Sequence, residues 1–378
     1  MRILFIPPLI AKRDANYGSE EQVGAIEQQV FGLARVLSDL GHETLITRPW
    51  FGERDIETLK GVHLLNIPVA PPDDGTTFSN YIQLILKNIE YAWKIKKKIS
   101  FIKPDLLVAH TILIGYLFSR EKIPKIFITH NNDIFIEKSL QHYLNKRMLL
   151  KISKRFEAIV ALTPSIQNYL KGMGIRTSAV IPNAIDPTAY ENKGDDNYIL
   201  CAAKLVKHKR VEDLIYAYSK IMENNIAKLI IIGNGPEDKR LKEIVRYLSI
   251  ENRIQFLPFL TKAAYREYLS KCSIFAFPSE TEAFGVVVIE AMACGKPVIA
   301  CNMPGPGDII NHGHDGFLFH KRNISELKQY LEILLDNQEL RKKIGSNARK
   351  TVEKKYTFEH IGQQYLSLFK EITVNNDI

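Results

Sequence analysis

Two carboxylates, Glu282 and Glu290, flank Gly285 in the segment Phe275-Ala-Phe-Pro-Ser-Glu-Thr-Glu-Ala-Phe-Gly-Val-Val-Val-Ile-Glu-Ala-Met-Ala-Cys-Gly-Lys-Pro-Val-Ile-Ala300. A glutamate in an apolar run is costly to bury unless polar groups meet it, so the pattern asks for a ligand with hydroxyl groups. Free amides and the positive dipole end of a helix opening near Gly285 suit a phosphate. A nucleotide sugar carries both kinds of group.

Other residues could share that chemistry. Lys204 and Lys209 lie in Ala202-Ala-Lys-Leu-Val-Lys-His-Lys-Arg210, where five positive side chains at one strand end could neutralise a diphosphate. A solvated basic loop is the other reading of that stretch. His130 follows Lys125–Thr129 and His110 follows Asp105–Ala109, which puts both at strand ends. Either could equally be a structural histidine bonded to a loop. Gly233 and Gly235, in Gly-Asn-Gly-Pro236, could bring backbone close to a nucleotide or simply turn the chain into its next helix. Gly24, at the head of the first long helix, could hold phosphate or acceptor, or be an ordinary helix start.

The elements that must position these residues follow from periodicity. Val286–Ile289 is β-branched and reads as strand or helix in isolation, but the short strands Ile274–Phe277 and Val298–Ala300 leave room between them for one crossover helix, stopped by Gly295 and Pro297. Elsewhere, apolar runs alternate with amphipathic segments. The first series is Ile3–Ile6, Glu43–Thr47, His63–Asn66, Leu106–Ala109, Lys125–Thr129 and Ala158–Ala161. A second runs from Tyr198–Ala202 through Lys228–Ile232, Ile254–Leu257, Ile274–Phe277 and Val298–Ala300 to Gly316–Phe319. This is an α/β chain with two doubly wound, Rossmann-like parallel sheets, and the turn-rich Ile181–Pro187 separates them. The predicted domains are residues 1–187, residues 188–355 and a terminal helical piece, residues 356–378. Ligands of such sheets bind at the carboxyl ends of the strands, so a deep cleft between the two domains is expected.

A length of 378 residues supports two ordinary domains. The first strand runs into Pro7-Pro8 too soon for a signal peptide, no apolar run is long enough to span a membrane, and four scattered cysteines read as reduced core residues of a cytoplasmic protein. The net charge is +9, with residues 1–187 carrying 24 basic and 18 acidic side chains and residues 188–378 carrying 27 and 24. That basic first half allows a peripheral position at an anionic membrane face or a phosphorylated acceptor. No nucleic-acid reading motif accompanies it. Tyr81–Ile99, with Trp93 and Lys96-Lys97-Lys98, has the composition of an interfacial helix, but its stripe of Ile82, Ile85, Leu86, Ile89, Ala92 and Trp93 is expected to pack on the domain's own sheet. The acidic pairs Asp73-Asp74 and Asp195-Asp196 lack metal-site context, so no catalytic metal is expected.

Together these features resemble the GT-B type glycosyltransferases, specifically the retaining glycosyltransferase family four. The resemblance rests on the Glu282/Glu290 pair in Pro-Ser-Glu-Thr-Glu-Ala-Phe-Gly, on Val180-Ile-Pro-Asn-Ala-Ile-Asp186, on Lys103-Pro-Asp-Leu-Leu-Val-Ala-His110 and on Tyr356-Thr-Phe-Glu-His360. It implies a terminal helix that crosses back to the first domain. It also implies roles: Glu290 on the donor ribose, Glu282 near the transferred sugar, the amides around Phe284, Gly285 and Val286 on the sugar hydroxyls or diphosphate, Lys204 and Lys209 on the diphosphate, His130 in the sugar pocket, and Gly24 near phosphates and acceptor. Two departures stand out. Lys204 replaces the usual arginine and so loses the bidentate fork, and Met303-Pro-Gly-Pro-Gly-Asp308 replaces the family's Gly-Gly-x-Pro-Glu segment.

The expected reaction moves a hexose or N-acetylhexosamine from a UDP- or GDP-type nucleotide-diphospho-sugar to a hydroxyl of a glycan, glycolipid or lipid-linked acceptor, with no cofactor beyond the donor. A two-carboxylate glycosidase is disfavoured because Glu290 lies inside an apolar helix. A nicotinamide oxidoreductase would need a Gly-x-Gly-x-x-Gly turn after the first strand, which is absent. A sugar-nucleotide epimerase or a non-catalytic binding protein remains the alternative.

Overall fold

The computed structural model describes residues 1–7, 25–49, 55–69, 78–130, 140–221 and 227–374. The chain divides into two compact units, one of Met1–Ala184 with Phe358–Ile378 and one of Ile185–Thr357. These limits fall a few residues from the boundaries expected above. The returning segment contains the helix Phe358–Val374, which packs on the helix Ala25–Asp39 within the first unit. Contact there is intimate, because a Cβ on Gly32 would stand 2.1 Å from the Phe358 ring.

The first unit carries β1 (Arg2–Ile6), β2 (Glu43–Pro49), β3 (Ile56–Leu59), β4 (Val62–Ile67), β5 (Leu106–Ala109), β6 (Lys125–Ile128), β7 (Ala158–Ala161) and β8 (Ala179–Val180). Among the described residues these form one sheet in the order β3-β4-β2-β1-β5-β6-β7-β8, parallel except for the antiparallel β3–β4 pair. β3 and β8 were not expected from the sequence: β3 exposes alternate residues and β8 has two residues, so neither makes a continuous apolar run. The inner strands are buried throughout, as parallel strands covered on both faces must be.

The second unit carries β9 (Tyr198–Ala202), β10 (Lys228–Ile232), β11 (Ile254–Leu257), β12 (Ile274–Phe277), β13 (Val298–Cys301) and β14 (Phe317–Phe319), in the order β11-β10-β9-β12-β13-β14, all parallel. The core beneath it includes Ile199, Cys201, Leu214, Leu229, Ile231, Ile274 and Leu331. Each sheet reverses its winding at one point, between β1 and β5 in the first unit and between β9 and β12 in the second. In doubly wound sheets the loops at such a point diverge and leave a crevice.

The helix expected to lie on its own sheet behaves differently. Among the described side chains of Phe78–Ile102, residues 83–102, those buried are Asn88, Tyr91, Ala92, Ile95, Ile99 and Ile102, while Leu86, Ile89 and Trp93 are exposed; Ile82 lies outside them. The expected stripe is therefore corrected at Leu86, Ile89 and Trp93, while Ala92 is buried as expected. The helix turns its Tyr91–Ile95–Ile99–Ile102 face inward, where the Tyr91 hydroxyl donates to Thr47 Oγ1 at 2.9 Å.

Candidate active site

In the second unit the winding reversal brings the loop after β9 to the loop after β12. Lys209 ends a 3₁₀ turn, Lys207–Lys209, and its Nζ lies 2.5 Å from Glu282 Oε2 and 5.2 Å above the Phe277 ring. Both side chains are mostly buried, which strengthens the attraction relative to a solvated pair. Glu282 Oε1 accepts from the Ala283 amide at 3.3 Å, and the Glu280 amide donates to the His208 carbonyl at 2.9 Å, so backbone also ties the two loops.

The five-cation cluster resolves into unequal members. Arg210 adopts a left-handed φ of 51° and directs its guanidinium to Asp213 at 2.7 Å and Glu212 at 2.9 Å, the first-turn acids of the helix Val211–Ser219. It is therefore used internally. Burial, then the Lys209 charge, lowers the His208 pKa and favours the neutral ring. Lys204 is exposed and makes no ion pair among the described residues, which leaves its charge available at the strand end.

The glycines after β10, expected to bring backbone close to a nucleotide or to turn the chain into its next helix, pack against the loop after β9. The Gly233 amide donates to the Leu257 carbonyl at 2.9 Å, and a Cβ there would stand 1.9 Å from the Ala203 carbonyl oxygen; one on Gly235 would stand 2.1 Å from that of Leu205. Their smallness lets the two loops pack backbone to backbone, and this fixes the loop that bears Lys204.

Gly285, at φ 97°, begins the helix Val286–Ala293 with no capping side chain. Only glycine adopts that conformation without strain. A Cβ there would lie 3.6 Å from Glu282 Cγ, so the helix start adjoins the ion pair. The first-turn amides at Val286 and Val287 lack intrahelical partners by position, and both residues are partly exposed. Phe284 is buried edge-on against Tyr356, with ring centroids 5.8 Å apart. The divergent Met303–Asp308 segment supports this point: the Gly305 amide donates to Asp308 Oδ2 at 3.1 Å, and a Cβ on Gly305 would meet the Phe284 carbonyl at 2.7 Å.

Glu290 is buried one turn into that helix, and its Oε1 accepts a 2.7 Å hydrogen bond from Tyr190. Burial raises its pKa, and the Lys262 charge and the Tyr190 bond oppose the rise. Tyr190 is itself clamped, since Arg349 donates to its carbonyl at 2.7 Å and to the Ala293 carbonyl at 2.6 Å, while Arg266 lies 5.0 Å over its ring. The partner that the buried glutamate demands is thus supplied by the protein in part. Nothing in the sequence links residue 190 to residue 290.

In the first unit, adjacent β5 and β6 deliver His110 and His130 side by side, with Nδ1 of His110 3.0 Å from Nε2 of His130. Burial holds the His130 pKa down to about 4, and His110 goes well below the usual imidazole range through burial and its neighbour. Both rings are neutral at neutral pH, and one donates to the other. The buried Nε2 of His110 has no hydrogen-bond partner among the described residues. The pair lines a pocket with Gln29, Asn183, Phe358 and Tyr365, in which Gln29 holds both backbone groups of Ala184 at 2.8–2.9 Å. Gly24 lies outside the described residues.

Two parallel-sheet α/β units with charged and hydroxyl-seeking groups at a strand-end crevice define the GT-B class of glycosyltransferases. Residues 26–189 match the family model "Glycosyltransferase Family 4" and residues 184–351 match "Glycosyl transferases group 1". An uncharacterized glycosyltransferase of Methanocaldococcus jannaschii is 28% identical over 360 residues, covering 93% of this chain and 95% of that protein. The N-acetyl-alpha-D-glucosaminyl L-malate synthase of Bacillus anthracis is 34% identical over 166 residues, 44% of this chain and 43% of that one. Among solved structures, the sucrose-phosphate synthase of Thermosynechococcus elongatus superposes with a TM-score of 0.83 at 17% identity, over 99% of this chain and 100% of that one. The chain belongs to the group 1 glycosyltransferases, and its activity is glycosyl transfer.

Proposed function

We propose that the enzyme transfers a hexose or N-acetylhexosamine from a nucleotide-diphospho-sugar, with retention of configuration, to a hydroxyl of a glycan, glycolipid or lipid-linked acceptor. The observation that carries the proposal is the Lys209–Glu282 pair next to an uncapped helix start at Gly285. A diphosphate placed there meets Lys209, Lys204 and amides that need acceptors, and so stabilises the negative charge that develops as the bond from sugar C1 to phosphate oxygen breaks. The acceptor oxygen bonds to C1 from the same face, and its proton passes to a donor phosphate oxygen. Glu282 takes sugar hydroxyls, and Glu290 takes ribose hydroxyls. No metal or further cofactor takes part. The Bacillus anthracis relative, named as a synthase of an N-acetyl-glucosaminyl product, makes N-acetylglucosamine the first sugar to test.

The proposal is tested by a thermal-shift screen with UDP, GDP and ADP sugars, because a ligand that binds the native state raises its midpoint. The donor so found is then used in transfer assays with and without chelator, and the product anomer is read by NMR. An inverted product, or transfer that stops with chelator and returns with a divalent cation, refutes the corresponding part.

A further inference from the structure

The helix Phe78–Ile102 leaves an apolar face uncovered in the first unit. Leu86 is 59% exposed, Ile89 43% and Trp93 54%, with Phe101 at 86%. At about 100° per residue, Leu86, Ile89, Trp93 and Lys97 fall within an arc of about 80°. Isolated exposed apolar residues need no explanation, but a continuous stripe along one helix does.

Charge identifies what covers it. Residues 83–102 contain five lysines, at 87, 94, 96, 97 and 98, and one acid, Glu90. Lys96 pairs with Glu121 and Lys98 with Asp55, while Lys87 and Lys94 share Glu90. Lys97 instead lies 3.4 Å over the Trp93 ring and makes no ion pair among the described residues. The stripe is therefore bordered by a net positive excess, with tryptophan and lysine together at its centre. A second copy of the chain would set that excess against itself. A layer that is apolar below and anionic above complements both features, and tryptophan and long cationic side chains are the ones that settle at such a boundary.

We propose that this face docks on an anionic lipid bilayer, lying in the plane of the headgroups with Leu86, Ile89 and Trp93 inserted and Lys97 on the phosphates. The docking goes beyond the transfer reaction and does not depend on which donor or acceptor is used. Among the described residues no helix is long and apolar enough to cross a membrane, so this contact is peripheral.

The test uses the full-length protein and vesicles of phosphatidylcholine with or without phosphatidylglycerol, measured by co-sedimentation. Binding to the anionic vesicles is expected, weakening at high salt as screening shortens the reach of the charges. A Leu86→Gln/Ile89→Gln/Trp93→Gln variant is expected to partition about tenfold less, with an unchanged thermal midpoint because the three side chains are exposed. Lys97→Glu, a single exposed change that does not touch the core, is expected to weaken binding about fivefold or more on anionic vesicles alone. Equal binding to both vesicle types overturns the proposal, as does binding unchanged in both variants. A wild-type dimer that the triple variant dissociates, with no vesicle binding in either, also overturns it and assigns the face to a second copy.

Discussion

Removing the Lys209–Glu282 pair in steps separates a structural ion pair from a catalytic one. The groups are 2.5 Å apart with side-chain exposures of 13% and 17%. Exposed pairs contribute about 0.2–1 kcal/mol, and breaking a fully buried pair costs about 3–5 kcal/mol. This geometry lies between those limits, so Lys209→Met or Glu282→Gln alone is expected to destabilise the second unit by about 2 kcal/mol. For a unit of this size that lowers the thermal midpoint by about 4–8 °C. The double variant leaves no unpaired charge and is expected to recover about 1–2 kcal/mol as the coupling term. Transfer should behave otherwise. On the proposed assignment each of the three variants loses a donor-facing group, and kcat/KM is expected to fall by at least about 10²–10³-fold in all of them. The assay is calorimetry beside initial rates with the donor that most stabilises the wild type. Activity that returns in the double variant together with stability refutes the catalytic assignment and makes the pair a brace between loops.

Tyr190→Phe deletes a buried hydrogen bond to Glu290 and is expected to cost about 1–3 kcal/mol in urea unfolding, with weaker nucleotide binding as the carboxyl gains its proton more readily; an unchanged midpoint shows that another donor replaces it. The histidine pair makes stability fall with acid. Below about pH 6.5 the unfolded chain takes up protons that the folded imidazoles refuse, and the loss continues until about 4, where His130 protonates in place. A fall of about 1–3 kcal/mol over that window is expected, and His130→Gln should flatten it; a profile identical in the variant removes His130 from the account. Gly233→Ala places a methyl group against the Ala203 carbonyl and should destabilise the second unit by more than about 2 kcal/mol, read as a lowered midpoint in calorimetry.

Much of the architecture was legible because parallel strands covered on both faces must be apolar throughout. The core strands of both sheets stand out as such runs, and the glycines that end helices stand out by type. β3 and β8 were not legible, one because it is half exposed and the other because two residues make no pattern. The helix Phe78–Ile102 misled for a related reason: it is apolar on more than one face, and periodicity gives the angle between faces but not which of them the sheet covers. The site was legible as residue types. Glu282, Lys209 and Gly285 were identifiable from their neighbours along the chain, and the structure brings them together.

The sequence by itself determined the family, the two-unit organisation and the candidate donor-binding residues, since each of these depends on short-range pattern or on a motif within about ten residues. Tertiary structure decided how those residues are used. It paired Lys209 with Glu282, consumed Arg210 in a helix start, turned Gly233 and Gly235 into packing points, and set Tyr190 on Glu290 and His110 on His130. Apart from the local Arg210 pairs, each of these is a contact between segments far apart along the chain. Its partner is chosen by the winding order of a sheet, which no local stretch of chain encodes.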